Sequence, residues 1–526
     1  MRRFSIRELE LRFPRWLIIL LTSTFVFFQS ATQTGFIPST IGVLQDSFNL
    51  TSSETGSLVS GYDFASMLLA APIGYLCVPL APRFLGIGMA VMAISIITFT
   101  FANLLPVGPD SSGGAYAVLM LSQILFGFGS SPLYVIVPVY YAANMGRSFL
   151  SLALGLFYAT AAFGPAVGFI LGGLAVSMWK WWAAMLLLGF SAFVFSFFLF
   201  LCPLDFHRPG EVILGDDDVE MQNTRREEDD DSDTGSQVAL EDALDDFGSS
   251  AVGSGGSIAD RIVKKRPGRK SETSVEYQKP RFVVCLTSNA WNAVMVTLRE
   301  PTFMVNNLAI ATQTFVVSSL TTFFPLFLSM TFNLDEGLAA IFMGITVVPG
   351  AAGGIILGGY IMKRLDASMS QHIKMTYITT FMAGVFSFIF YLENHIVFLV
   401  LLAPMMALVF ISSVSCNTIA MRVVPPVHRG IAVGIQSITF RLLGSVPGPL
   451  IMGGLFDAAC IEWDGACLLY DIPRLRLTWL IFCVVCCMIT GILFSLQEIT
   501  WGRRTRREKE LRARVTQHSA RTGDEL

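Results

Sequence analysis

The feature that most constrains this chain is a long, polar and acidic segment that separates two apolar halves. Residues 204–282 carry 19 acidic and 11 basic side chains, including the runs Asp216–Asp218 and Glu227–Asp231. A bilayer core of about 30 Å requires about 20 mostly apolar residues per helix, and the sequence on each side of the segment is long enough for about six helices. Two six-helix halves joined by a charged loop are typical of membrane transporters.

The composition supports a membrane protein. Of 526 residues, 53% are hydrophobic and 14% are charged, which is too little charge to cover the surface of a soluble protein of this size. Backbone amides in lipid must be hydrogen-bonded within the segment, so we predict an all-α membrane protein. Twelve spans are expected, at 16–41, 56–79, 84–102, 115–140, 149–175, 181–202, 302–328, 336–361, 373–392, 396–420, 431–456 and 475–497.

The distribution of basic residues predicts the orientation. Lys and Arg concentrate at the N-terminus, in alternate loops and in the C-terminal tail, whereas three basic residues, Lys180, Arg474 and Arg476, belong to the opposite side. Under the positive-inside rule both termini are cytosolic, and we expect a multi-pass protein of the plasma membrane. The predicted segments are a cytosolic N-terminus (1–15), a six-helix half (16–203), a cytosolic loop (204–282), an amphipathic helix (283–300), a second half (301–497) and a basic tail (498–526).

The central segment contains too few apolar residues to repay the cost of ordering, so we predict that 204–282 is disordered. Its basic part, 261–270, either binds anionic lipid of the inner leaflet or is a solvated linker between the halves. The amphipathic helix that follows is expected to lie along the membrane, with Trp291 as an interfacial anchor.

Several function classes lack their characteristic motifs. The sequence contains no glycine-rich phosphate-binding loop with Lys-Ser/Thr, so ATP-driven pumping is not supported. No nucleophile–base pair or metal-ligand cluster is recognisable. We therefore predict a protein that is not an enzyme, that needs no cofactor or metal, and that binds a small molecule rather than nucleic acid.

Ordered motifs in both halves carry a family resemblance. They include Ser131–Tyr134, Phe163–Phe169, Pro301–Phe303 and the long run from Val424 to Asp457. With these motifs the chain resembles the organic anion transporting polypeptides of the major facilitator superfamily. It departs from them in three places. Residues 393–395 replace a large cysteine-rich domain, the tryptophan signature is partial at 179–183, and Gln313 stands where glutamate is usual.

The resemblance implies a major facilitator fold and secondary transport of amphipathic organic anions by alternating access. The implied substrates are steroid conjugates, bile-salt-like molecules or other lipophilic acids. Two rival functions remain open from the sequence. One is a carrier of a neutral or lipid-like solute, and the other is a non-transporting membrane receptor or scaffold.

Two ionisable residues inside predicted spans are the main site candidates, because a charge at mid-membrane costs about 2.5–3.5 kcal/mol on insertion scales. By resemblance, Arg441 matches an arginine implicated in anion handling and Asp63 matches an acidic family position. Arg441 either neutralises an anionic substrate or pairs with a buried acid. Asp63 either pairs with a basic residue or takes part directly in transport. The sequence does not show whether the two residues touch.

Further substrate-binding candidates are polar residues in or near the spans. Lys363 lies near the cytosolic end of its span, where substrate handling and snorkelling explain a basic residue about equally well. Four amides are predicted to line the path or to act as interhelical hydrogen-bond partners, namely Gln33, Gln313, Asn417 and Gln436.

Two features are expected on the outside. Asn49-Leu50-Thr51 is an N-glycosylation sequon. Cys460 and Cys467 fall in a loop that charge counting places on the oxidising side, and the family run that they match carries extracellular cysteines. We predict a disulfide between them, with two free thiols as the alternative.

Overall fold

The computed structural model describes residues 15–76, 81–105, 112–144, 147–178, 180–201, 288–364, 368–424, 429–464 and 466–523. The predicted cytosolic N-terminus, the central loop 204–282 and its basic run 261–270 lie outside the described residues, apart from Arg15. The fold is the predicted major facilitator arrangement of two helical halves.

The first half begins with an interrupted helix. Helix α1 (Arg15–Ser30) runs into a π-helical turn (Ala31–Phe36) and a short helical turn (Ile37–Ser39), and α2 (Ile41–Phe48) follows. The remaining helices of this half are α3 (Ser52–Leu76), α4 (Ala81–Phe101), α5 (Ser112–Asn144), α6 (Arg147–Met178) and α7 (Trp181–Leu201).

The second half is preceded by α8 (Ser288–Arg299), within the range predicted for the amphipathic helix. Two of its spans are interrupted by π-helical turns, Val348–Ala352 and Arg441–Ser445. Its helices are α9 (Pro301–Phe332), α10 (Glu336–Val347), α11 (Gly353–Arg364), α12 (Met369–Phe386), α13 (His395–Val423), α14 (Arg429–Phe440), α15 (Pro447–Ala458) and α16 (Ile472–Gly523).

Within the described residues, eleven helical segments are long and apolar enough to cross a membrane. Helix α3 supplies the twelfth segment at 25 residues, and it packs in the bundle against α5 and α15. It is less apolar than the others because it carries Glu54, Asp63 and several serines. Polar residues on a helix inside a bundle indicate contacts with other helices rather than with lipid.

One element departs from the all-α prediction. Strands β1 (Cys460–Asp464) and β2 (Ala466–Tyr470) form an antiparallel hairpin between α15 and α16. A disulfide joins Cys460 to Cys467, whose Cα atoms are 5.8 Å apart. The end of the bundle that carries this hairpin is called the hairpin end below, and the opposite end is called the tail end.

One apolar core lies within the first half, and the main core of the second half also includes Ile41, Ala166 and Phe169 of the first half. In the second half, Trp479 is fully buried and stacks on Phe390 with ring centroids 5.7 Å apart, while Phe324 stacks on Phe398 at 5.8 Å. Such aromatic pairs add about 0.5–1.5 kcal/mol beyond the area that they bury. In the first half, a small residue on α6 lets the π-helical turn after α1 approach closely, since a Cβ on Gly168 would lie 2.0 Å from the carbonyl oxygen of Ala31.

The last helix continues beyond the span predicted at 475–497 and reaches Gly523. Its tail-end part is fastened to the second half. Arg504 lies 3.3 Å from the carboxylate of Glu300 and donates a hydrogen bond of 3.0 Å to the carbonyl of Val423. The structure thus shows helix where the sequence predicted a basic tail from residue 498.

Candidate functional site

Helix α3 of the first half lies along α15 and α14 of the second half in a series of contacts that starts at the hairpin end. The outermost contact is a helix cap. The backbone N–H groups of Ser52 and Ser53 donate to the two carboxylate oxygens of Asp457 at 2.9 and 2.8 Å. The first amides of a helix have no intrahelical acceptor, so a carboxylate there is stabilising. One half therefore caps a helix of the other.

The hairpin adds to this outer contact. The hydroxyls of Ser52 and Tyr470 are 3.1 Å apart, and Tyr470 is on β2. Burial raises the pKa of the Tyr470 phenol above its ordinary value, so the group remains a neutral hydroxyl at physiological pH. The hairpin is thereby joined to the first half through the N-terminus of α3.

The middle contacts bring the two backbones close together. A Cβ on Gly56 would lie 2.4 Å from the carbonyl oxygen of Pro449, so no larger side chain fits there. One turn further along α3, the hydroxyl of Ser60 donates to the carbonyl of Val446 at 2.6 Å. Small residues at a helix crossing allow this approach in a membrane.

The innermost contact of the series is an ion pair between the two predicted charges. Nε of Arg441 lies 3.8 Å from Oδ1 of Asp63, with side chains that are 5% and 16% exposed. This distance exceeds that of a hydrogen bond, and Nε donates none to any described residue. The Asp63 carboxylate, which comes from the other half, thus neutralises the guanidinium charge but accepts no hydrogen bond from Nε.

Arg441 is positioned by an irregular turn and by aromatic rings. It is the first residue of the π-helical turn Arg441–Ser445, and such turns are frequent at functional sites. Its Cζ lies 5.6 Å from the ring centre of Phe440 and 6.0 Å from that of Tyr134. Aromatic faces attract a guanidinium and leave its hydrogen-bond donors available.

A hydrogen-bonded bridge lies beside the ion pair and connects three helices of the first half. The Tyr134 hydroxyl donates to Oε1 of Gln29 at 2.7 Å, and Nε2 of Gln29 donates to the Tyr62 hydroxyl at 2.7 Å. The bridge fixes the helical turn that carries Asp63. Tyr62 and Tyr134 were not among the residues predicted from the sequence, although Tyr62 precedes Asp63 and Tyr134 ends a family motif.

The other predicted polar residues are not brought to Arg441 by any described contact. Nε2 of Gln313 donates to the Ser412 hydroxyl at 2.6 Å, and Nε2 of Gln436 donates to Oδ1 of Asn417 at 2.9 Å. These three amides therefore serve as interhelical hydrogen-bond partners in this conformation.

Gln33 and Lys363 stand apart from these pairs. Gln33 is buried in the first π-helical turn, and neither atom of its side-chain amide has a hydrogen-bond partner among the described residues. An unpaired buried amide is costly, so this one is a candidate to meet a ligand. Lys363 lies on α11, but its side chain is outside the described part of the structure.

Solved structures share the fold. A bacterial homologue of the human lysosomal transporter Spinster, in an inward-facing and occupied conformation, matches with a TM-score of 0.63 at 14% identity, over 92% of this chain and 97% of that one. A D-xylose–proton symporter matches with a TM-score of 0.60 at 13% identity, over 90% and 97%. At these identities the likeness shows the architecture.

Curated relatives match along most of the chain. A mouse (Mus musculus) solute carrier organic anion transporter family member, 4A1, is 22% identical over 85% of this chain and 76% of its own length. A probable sphingolipid transporter, spinster homolog 3 of Arabidopsis thaliana, is 25% identical over 79% and 71%. These relatives are membrane transporters and not enzymes.

The family model described as the Organic Anion Transporter Polypeptide family matches residues 17–112, 108–394 and 391–475. These ranges include Asp63, Arg441 and the whole series of contacts between α3 and α15. The chain is a multi-pass membrane transporter that belongs to the organic anion transporter polypeptide family.

Proposed function

We propose that the protein is a secondary transporter of amphipathic organic anions and that Arg441 binds the anionic group of the substrate. The observation that carries this proposal is the buried Arg441 whose partner, Asp63, comes from the opposite half at the inner end of the contact series. Steroid conjugates and bile-salt-like acids fit this chemistry, since a planar guanidinium pairs well with carboxylate and sulfate.

The contact series suggests how binding and release alternate. When the hairpin end opens, α3 leaves α15, and Asp63 leaves Arg441. The cation then attracts an anion strongly because it lies in a region of low dielectric. When the hairpin end closes, Asp63 returns, competes for the guanidinium and repels the bound anion toward the tail end. Asp63 thus acts as a counter-ion that pairs with Arg441 when no substrate is bound.

We further propose that the hairpin end faces outward and that both termini are cytosolic at the plasma membrane. The basic loops and the α16 extension support this orientation, as does the disulfide, which persists in oxidising compartments. In this orientation the structure is a conformation closed toward the outside. We also propose that Gln33 and Lys363 line the substrate path. The basic run 261–270 is proposed to bind anionic lipid of the inner leaflet.

Asn49 provides a test of this orientation. It ends α2 in the left-handed region at φ 58°, and its side chain is exposed at the hairpin end. The sequence contains one N-glycosylation sequon, so glycosidase treatment of protein from a eukaryotic host is expected to increase gel mobility in one step. The variant Asn49→Gln should lack this shift. Equal mobility of treated and untreated wild-type protein would argue against use of the site.

A second candidate function is transport of a lipid-like solute. The observation in its favour is the similarity to a probable sphingolipid transporter of Arabidopsis thaliana. A lipid-like solute without an anionic group would not require a cation at the centre of the bundle. The two functions therefore differ in their dependence on Arg441, and a receptor or scaffold differs from both in showing no flux.

Uptake into proteoliposomes tests the proposal. Purified full-length protein would be given a radiolabelled steroid sulfate, the matched neutral steroid and sphingosine in separate reactions, with protein-free liposomes as the control. We expect saturable uptake of the sulfate above the control and no protein-dependent uptake of the neutral steroid. Protein-dependent flux of sphingosine alone would favour the second candidate, and no flux of any compound would favour a receptor.

A further inference from the structure

A cavity of about 350 Å³ lies at the hairpin end, entirely within the first half and apart from the Arg441 site. It is bounded by α2, by the 3-10 turn after α4 (Ala102–Leu104), by the end of α6 and by the start of α7. Its volume falls within the usual range for small-molecule sites, about 300–1,000 Å³. The lining residues are Val43, Asn103, Val176, Lys180, Trp181 and Trp182.

Two features give one side of the cavity a preference for anions. Lys180 lines it and carries an ammonium group. Lys180 also immediately precedes α7, and the Ala183 N–H donates to the Lys180 carbonyl, which marks the first turn of a 21-residue helix. The first amides of that helix, at Trp181 and Trp182, have no intrahelical acceptor and favour negative charge.

Most of the remaining lining of the cavity is apolar. Trp181 is 6% exposed, and its ring is held edge-on by Phe48 and Phe99, each with ring centroids 6.1 Å away. Val43 and Val176 complete this part of the lining. A ligand that uses both the cationic and the apolar part of the lining must combine a compact anionic group with a flat or bulky apolar body.

We propose that this cavity is a second binding site, separate from Arg441, for an amphipathic anion. A sulfate, sulfonate, phosphate or carboxylate pairs with the Lys180 ammonium and the first amides of α7, and the apolar body lies against the tryptophan rings. The ligand is either a free organic anion or the headgroup region of an anionic lipid, since both present this chemistry.

The position of the cavity links its occupancy to the closure of the hairpin end. Val43 follows Gly42, against which the carboxylate of Glu336 from the second half is packed. Val176 precedes Ser177, whose hydroxyl donates to Oδ2 of Asp335 at 3.1 Å. A ligand that orders α2 and the end of α6 therefore favours the conformation in which these contacts are made, and it slows the opening of this end.

The test uses 1-anilinonaphthalene-8-sulfonate, an aromatic sulfonate whose emission can be sensitised by nearby tryptophan. The full-length protein in phosphatidylcholine nanodiscs should show a saturable signal, and Lys180→Gln should weaken binding about tenfold, as expected for loss of one charge-assisted contact. Arg474→Gln is the matched control, because Arg474 is an exposed cation at the hairpin end that does not line the cavity. It should bind as the wild type does.

A further variant separates this site from the transport site. The double change Arg441→Ala with Asp63→Asn should leave the signal intact, even if it abolishes uptake or if the protein transports no anion at all. Nanodiscs that contain phosphatidylserine identify the source of the ligand. Competition in the wild type indicates a lipid headgroup, and its absence indicates a free anion. Equal binding by Lys180→Gln and the wild type, or equal losses in Lys180→Gln and Arg474→Gln, would overturn the proposal.

Discussion

Replacing Arg441 with alanine is expected to reduce uptake of a steroid sulfate by about 10- to 150-fold. The change removes the cation that pairs with the substrate, and a charge-assisted pair in a buried site is worth about 1.5–3 kcal/mol. It also leaves the Asp63 carboxylate buried without its partner, which is itself destabilising by about 3–5 kcal/mol. Uptake per molecule of correctly trafficked protein is the measurement.

A matched set of variants separates these two effects. Arg441→Ala combined with Asp63→Asn removes both charges, so the fold should recover while uptake stays low. Arg441→Lys keeps the charge but loses the planar fork, and it should retain part of the activity. If the double variant transports the anion at the wild-type rate, Arg441 is a structural partner of Asp63 and does not bind substrate.

Replacing Gly337 with alanine is expected to hold the hairpin end open and to reduce transport about tenfold or more. Gly337 is on α10 and faces α6, and a Cβ there would lie 1.9 Å from the Ser177 hydroxyl and 2.5 Å from the Gly173 carbonyl oxygen. Overpacking of this kind costs about 1–3 kcal/mol. A cost of that size to the state in which the hairpin end is closed lowers the ratio of closed to open protein about 5- to 150-fold.

Labelling of a buried position would measure this opening. Ser60 is 3% exposed between the halves, so Ser60→Cys should react slowly with a membrane-impermeant maleimide, and faster when Gly337→Ala is added. Gly434→Ala is the matched control, because a Cβ there would meet no atom within 4 Å. Unchanged labelling and transport in the Gly337→Ala protein would show that the closure tolerates the added methyl group.

The helices were predictable because hydrophobic length is a local property. Eleven segments followed from apolar runs alone, and the segment that contains Asp63 was also found despite its lower hydropathy. The β-hairpin was not predicted, because the pairing of its two strands depends on how residues 460–470 fold back on themselves. The order of residues in a short loop does not show this. The helical continuation of the last span beyond 497 was not predicted either, because the charged residues there are compatible with either a helix or a tail.

The candidate site was predictable only in part. The cost of charge in a membrane selects Arg441 and Asp63 from the sequence, but their contact depends on how α3 crosses α14 and α15. The same is true of Asp457, which appeared in the sequence as one position of a family motif. Its role as the cap of α3 depends on residues about 400 positions earlier in the chain. Contacts between helices depend on the tertiary fold. They cannot be predicted from residue spacing or hydropathy along a single helix.

The dissociation constant of the anion for Asp63→Asn shows whether Asp63 and the substrate compete for Arg441. If Asp63 competes with the substrate for Arg441, removing its charge should tighten binding of a steroid sulfate by about tenfold, or ~1.4 kcal/mol, because the substrate no longer has to displace the carboxylate. Equilibrium binding of the labelled sulfate to purified wild-type, Asp63→Asn and Arg441→Ala proteins gives the comparison. We expect tighter binding for Asp63→Asn and loss of binding for Arg441→Ala. Weaker binding in both variants would contradict it.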